Sequence, residues 1–273
     1  MKKRFLAHLA MVSALAVCSS ARAGIIEDFQ FNDANGTQLG GAVNSANPGN
    51  NWLIHANNND QSFVVDGSYR IGKHSVTGQA ANALEIANIT SGKAYLVVEI
   101  AGWSYTSMAS APSERVRFAF MDNDPASTGG SIVTAEMNID RLGDALTLRG
   151  EALGAGGTAL LGTQYALPLV QTSPLTLVLE LDKDLNQFTV FYKDGSNPFG
   201  TLGTGNLGER SAGVIREGRS LRFAFTGTFG DTGEFFDVDR IYLADFNPIP
   251  EPGTTLLATV AIAFLVAFRR HWK

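Results

Sequence analysis

Cysteine is nearly absent, with a single residue, Cys18, in a chain of 273. It falls within the first 23 residues, which read as a removable leader, so the mature chain has no disulfide, no thiol nucleophile and no cysteine-based zinc site. Histidine is almost as scarce, at four residues. His8 lies in the leader and His271 in the tail, which leaves His55 and His74 for the body, with no HxH, HExxH or Gly-x-Ser-x-Gly pattern. A serine-hydrolase triad or a histidine-ligated zinc is not expected from this inventory.

Positive charge is also in short supply where it would count. Of the 21 Lys and Arg, four lie in residues 1–23 and three beyond Pro252, so residues 24–252 carry 14 bases against 26 acids, a net of −12. A body of that charge repels nucleic acid and anionic membrane surfaces and attracts cations. No stretch of the body repeats its apolar residues at helical spacing. Glycine, at 29 residues, is plentiful, and 45% of the chain is hydrophobic. That is enough for one sizeable core and too apolar for a disordered chain.

The two ends carry addresses. Lys2, Lys3 and Arg4 precede an apolar run from Phe5 to about Val17, and Ala21-Arg22-Ala23 supplies small residues before Gly24. This order of parts is a secretory signal peptide, helical before cleavage and occupying residues 1–23. The apolar run is too short to cross a ~30 Å hydrocarbon layer comfortably, which argues against a permanent anchor. Val17 is a poor fit to the small residue that a lipoprotein site at Cys18 would need.

At the other end, Pro248, Pro250 and Pro252 stop the strand pattern. An unbroken apolar stretch follows over 254–268, and Arg269-Arg270-His271-Trp272-Lys273 closes the chain. The apolar stretch is a short transmembrane helix whose basic end stays cytoplasmic, leaving everything before it outside. Pro250-Glu251-Pro252-Gly253, then an apolar helix, then Arg269 and Arg270, resembles a PEP-CTERM sorting signal. The resemblance covers 249–273 and implies processing by an exosortase-type membrane protease. Proteins with this signal are exported by Gram-negative bacteria and often associate with extracellular polysaccharide and biofilm. The alternative is an ordinary single-span anchor on a proline-rich stalk.

Between the ends, over 24–246, the dominant period is two. Leucines 175, 177, 179 and 181 alternate with Thr176, Val178, Glu180 and Asp182, and Val116, Phe118 and Phe120 alternate with Arg115, Arg117 and Ala119. Leu221, Phe223 and Phe225 repeat the pattern, as do Phe188, Val190 and Tyr192, and each series marks a half-buried strand. Further strands are expected at 63–65, 84–87, 94–103, 132–139, 145–149 and 235–246. Asp66-Gly67, Gly129-Gly130 and Asp194-Gly195 are turn dipeptides, and 182–186 reads as a hairpin connection. Arg-Phe-Ala-Phe occurs at 117–120 and again at 222–225, a likeness of strand patterning that suits neighbouring strands.

About ten to twelve strands without helices must bury one sheet face against another, so the expected fold is an all-β, two-sheet antiparallel sandwich of jelly-roll type. The opening Ile26-Glu27-Asp28-Phe29, the hairpin around 175–195 and the closing 235–246 segment resemble concanavalin A/laminin-G-like jelly rolls. That likeness implies an extracellular interaction or carbohydrate-binding module, in many cases with Ca²⁺.

Chemistry-bearing clusters are few. Jelly-roll glucanases set acids two and four residues apart on one strand. Glu180-x-Asp182 and Asp237-x-Asp239 each begin such a pattern without completing it, so the chain is not expected to be an enzyme. A structural Ca²⁺ fits the acids better, with Asp237 and Asp239 on the last strand and Glu27 and Asp28 on the first brought side by side. Asp122-Asn123-Asp124 and Asp182/Asp184/Asn186 are rival loops, and solvated turns explain any of these clusters equally well. For sugar, Trp52 in a loop-rich segment is the candidate contact, with Trp103, Tyr105 and the 57–60 amide run behind it. The sequence thus describes an exported cell-surface or matrix protein with a non-enzymatic adhesive or structural sandwich. A Ca²⁺-dependent lectin-like module is the alternative, and a glycoside hydrolase the third reading.

Overall fold

Strand pairing in the computed structural model follows the alternation of apolar residues closely. The structure describes residues 24–54, 62–71, 79–105, 114–123, 132–142, 145–154, 157–226 and 234–249. The signal helix, the Pro250–Gly253 motif, the apolar tail with Arg269 and Arg270, His55, His74, the 57–60 run and Asp124 lie outside these residues. Among the described residues the only helix is one 3₁₀ turn, Leu39–Gly41, and no helix is long and apolar enough to cross a membrane.

Two antiparallel sheets form the sandwich. The first, of nine strands, runs in the order Gly200–Asn206, Gln187–Asp194, Leu175–Asp182, Lys93–Ser104, Phe235–Ala244, Ser68–Ile71, Ser62–Val65. Val170–Gln171 adds to it along Lys93–Ser104, and Ile25–Phe29 along Phe235–Ala244, so the first and last strands are neighbours, as the sequence led us to expect. The second, of eight strands, runs Gly157–Leu160, Ala145–Gly154, Val133–Leu142, Glu114–Met121, Gly218–Thr226, Gln79–Ile89, Leu53–Ile54, with Tyr165–Leu167 also paired along Ala145–Gly154. Several short strands, Ser68–Ile71 and Gly200–Asn206 among them, carry too little apolar periodicity to be read from sequence alone.

The core lies between the sheets. Leu175, Leu177, Leu179 and Leu181 enter it from the first sheet, and Val116, Phe118, Phe120, Leu221, Phe223 and Phe225 from the second. The two Arg-Phe-Ala-Phe segments are adjacent strands, with Phe223 opposite Phe118 and their rings stacked 4.9 Å apart. Asp66-Gly67 makes its tight turn with both residues at positive φ (51° and 88°), the conformation that a two-residue hairpin turn requires.

A second apolar cluster covers the first sheet's outer face. Tyr95, Val97 and Val178 are buried there beneath Phe191, Phe199, Tyr242 and Ile249. The chain therefore leaves the sandwich across the first sheet, and the outer face of the second sheet is turned the opposite way.

Candidate functional site

The four acids expected to share a cation have separate partners. Asp28 is gripped by Arg240 at 2.7 and 3.1 Å. Burial opposes its ionisation, but hydrogen bonds from Arg240, Gln30 and Ser45 outweigh that and hold the carboxyl below its usual range. Asp237 takes a two-pronged contact from Arg70 at 2.7 and 2.6 Å. Asp239, at a bulge in its strand, accepts from the Ser68 hydroxyl. Glu27 is surrounded by amide donors, with Asn44, Asn47 (3.1 Å) and Asn50 (2.9 Å) all pointing N–H groups at it. Ca²⁺ wants six to eight oxygens, whereas these carboxylates are taken up by guanidinium and amide nitrogens and by the Ser45 and Ser68 hydroxyls. Among the described residues no group of three or more His, Cys, Asp and Glu is placed to hold a metal. Strand adjacency came out as expected; convergence of the four carboxylates did not.

The other candidates are also committed elsewhere. Glu180 and Asp182 share one face, but Lys93 bridges both at 2.8 and 3.1 Å. Asp122 is paired with Arg210 and Arg219. Trp52 needs correction as an exposed sugar contact: it is 3% exposed and packs against Phe29 and Phe223 in the core. Trp103 is buried against Phe236 and donates to the Pro168 carbonyl, and Tyr105 is buried too. No tryptophan among the described residues offers an open stacking surface.

A different cluster emerges on the outer face of the second sheet. Because Phe118, Phe223, Met137 and Leu148 point inward, their strand neighbours must point outward. The register then lines up Arg222, Ala119, Glu136 and Glu151 in one row across four strands. The next row holds Ala224, Arg117, Asn138 and Arg149, and the one beyond it sets Arg115 opposite Asp140. Four of the body's 14 bases thus share one face with three carboxylates and an amide.

The charges are paired unevenly. Asp140 receives a fork from Arg115 at 2.5 and 2.9 Å and a further contact from Arg149 at 2.9 Å. Arg115 also reaches Glu151 at 3.5 Å. Arg117 only approaches Glu136, at 3.5 Å. Among the described residues, five buried polar atoms on this face have no hydrogen-bond partner: Nε of Arg117, Arg149 and Arg222, Oε2 of Glu136 and Oδ1 of Asn138. Each unmet group costs about 1–3 kcal/mol, so the arrangement is not optimised for stability alone. Glu136 is wholly buried. That burial raises its pKa to about 7, with Glu151 adding to the rise and Arg117 and Arg222 opposing it. Burial likewise lowers the pKa of Arg222.

Beside these rows lies a cavity of about 360 Å³, lined on its polar side by Arg115, Arg117, Arg149, Glu151 and Thr158. The signal for this face was present in the sequence as Glu136-x-Asn138-x-Asp140, Arg115-x-Arg117 and Arg149-x-Glu151. The glucanase-like spacing of the first was obscured by the amide at its centre.

No family model matches the chain, and no curated protein does. Solved structures do. An endo-1,3-β-glucanase from Streptomyces sioyaensis aligns with a TM-score of 0.52 at 12% identity, over 83% of this chain and 98% of its own. The CBM2 module of an evolved Dit from Lactobacillus casei BL23 phage J-1 aligns at 0.50 and 12%, over 84% and 98%. LamAcat from Zobellia galactanivorans aligns at 0.49 and 14%, over 80% and 96%. At these identities the likeness to the first two is one of fold alone, a two-sheet antiparallel jelly-roll sandwich.

Glu136 generates a pH prediction. A carboxyl whose folded pKa lies above its unfolded value holds its proton longer in the native state, so its contribution to stability is lost as pH rises from about 4.5 to about 7. Urea midpoints of wild type and Glu136→Gln, compared at pH 5 and pH 8, should show the variant gaining relative to wild type at the higher pH. A difference that stays constant with pH contradicts the assignment.

Proposed function

We propose that the chain is an exported, non-enzymatic module that associates with extracellular polysaccharide through the outer face of its second sheet. The observation that carries this reading is the row-by-row cluster of arginines and carboxylates beside the 360 Å³ cavity, several of whose buried polar atoms lack partners. Small-ligand sites fall in this size range and use a few placed polar groups to fix orientation. Delivery follows from the two ends of the sequence: a signal peptide for export and a Pro-Glu-Pro tail handled by an exosortase-type protease. Mass spectrometry of the protein from its own host should find a mature C-terminus that ends before Arg269. Intact Arg269–Lys273 on every molecule contradicts that route.

One observation favours a second reading, glycoside hydrolysis. Glu136 sits opposite Glu151 with its proton held to near-neutral pH, as a general acid requires. Against it, Asn138 replaces the central acid, Asp140 is held by two arginines, and Glu136 is wholly buried. The two readings part in one experiment. The full-length protein in detergent should be retarded in gels containing the host's extracellular polysaccharide and release no sugar from it. Retardation should disappear in an Arg117→Ala/Arg149→Ala variant and persist in Arg70→Ala, on the other sheet. Sugar release abolished by Glu136→Gln overturns the non-enzymatic reading.

A further inference from the structure

The cavity's lining narrows the ligand class. Three guanidinium groups, from Arg115, Arg117 and Arg149, face one carboxylate, Glu151, and the remaining lining consists of Thr158 and small or aliphatic side chains. No aromatic residue is among the lining residues, so the apolar stacking that would hold a neutral sugar ring is missing there. A guanidinium has five N–H donors in a planar fork that matches a carboxylate. Arg115 has spent its fork on Asp140. Arg149 gives Asp140 a single contact through one terminal nitrogen, while Arg117 makes only the 3.5 Å approach to Glu136, through its buried Nε, which leaves terminal N–H groups on both toward the cavity. Those terminal donors are what a second carboxylate would occupy, and both side chains are partly solvent-exposed, at 26% and 19%.

Resting on the polysaccharide-binding reading, we infer that this cavity takes the carboxylate of an acidic sugar, so that the ligand is a polyuronate-type anionic glycan and not a neutral glucan. The body's net charge of −12 does not oppose this at contact range. Exposed charges further away than about 8 Å are largely screened at physiological salt, while the guanidinium contacts act directly. The acidic remainder of the surface instead disfavours the same polymer everywhere else and directs it to this face.

The test compares one polymer in two chemical states. Full-length protein is titrated with a soluble polyuronate and with the same polymer after its carboxyl groups have been reduced to alcohols. Wild type should bind the acidic form at least about tenfold more tightly, the equivalent of ~1.4 kcal/mol. Arg149→Gln should lose most of that preference, and Arg117→Lys should lose part of it, since it keeps the charge but not the fork. Unchanged far-UV circular dichroism and melting temperature establish that the variants are folded. Equal binding of both forms by wild type overturns the acidic-sugar inference while leaving polysaccharide binding in place. Failure to bind either form, together with failure to bind the host polysaccharide, overturns both.

Discussion

The contact on which the second sheet's organisation depends is the stacking of Phe118 on Phe223, 4.9 Å apart across adjacent strands. It is part of a larger aromatic group, in which Phe223 also meets Tyr69, Trp52 and Phe225. Strand side chains alternate, so fixing these rings in the core fixes everything beside them on the far face. A slip of one residue would send Arg117 and Arg222 into the apolar layer and expose the phenylalanines. The charged face is thus positioned by the core, and its geometry is inherited from a pairing that apolar burial enforces.

What the charged face contributes energetically is a separate matter. Partly buried ion pairs give up hydration, and the attraction between partners often does no more than offset that loss. Here the pairing is incomplete as well, with arginine Nε groups and a Glu136 oxygen left without partners. Stability would be better served by apolar residues on these strands, as it is on the outer face of the first sheet, where Tyr95, Val97 and Val178 lie under Phe199 and Ile249. The two outer faces therefore differ in how completely their polar groups are paired. The first carries an apolar cluster under the protein's own chain beside paired charges, and the second a small apolar patch of Ala119, Met121, Val133 and Leu153 beside polar groups that are partly unsatisfied and border a cavity.

Much of the architecture was legible in the sequence because core strands advertise themselves. The 175–182 leucines, the paired Arg-Phe-Ala-Phe segments and the adjacency of the first and last strands all follow from alternation and from the closure of a sandwich. The candidate site was far less legible. Acids such as Asp28 and Asp237 looked like cation ligands because their arginine partners, Arg240 and Arg70, are remote or unremarkable in sequence. Trp52 looked exposed because its neighbours are polar, yet its ring completes the Phe29–Phe223 layer. The Glu136, Asn138 and Asp140 series lies on a strand expected at 132–139 and found at Val133–Leu142, so Asp140 fell one residue beyond the expected end. Its partners, Arg117, Arg149 and Arg222, come from three other strands, and only the register brings them together.

The proposed function requires that the second sheet's outer charges serve binding and are not needed for folding. It is tested most directly by replacing Arg117, Glu136, Glu151 and Arg222 together with Met, Leu, Leu and Met, side chains of comparable bulk without charge. Melting temperature and polysaccharide binding are then measured on the same preparation. The expected result is an unchanged or raised melting temperature with binding lost. A folded variant that binds polysaccharide as wild type does, or a variant that no longer folds, would contradict it.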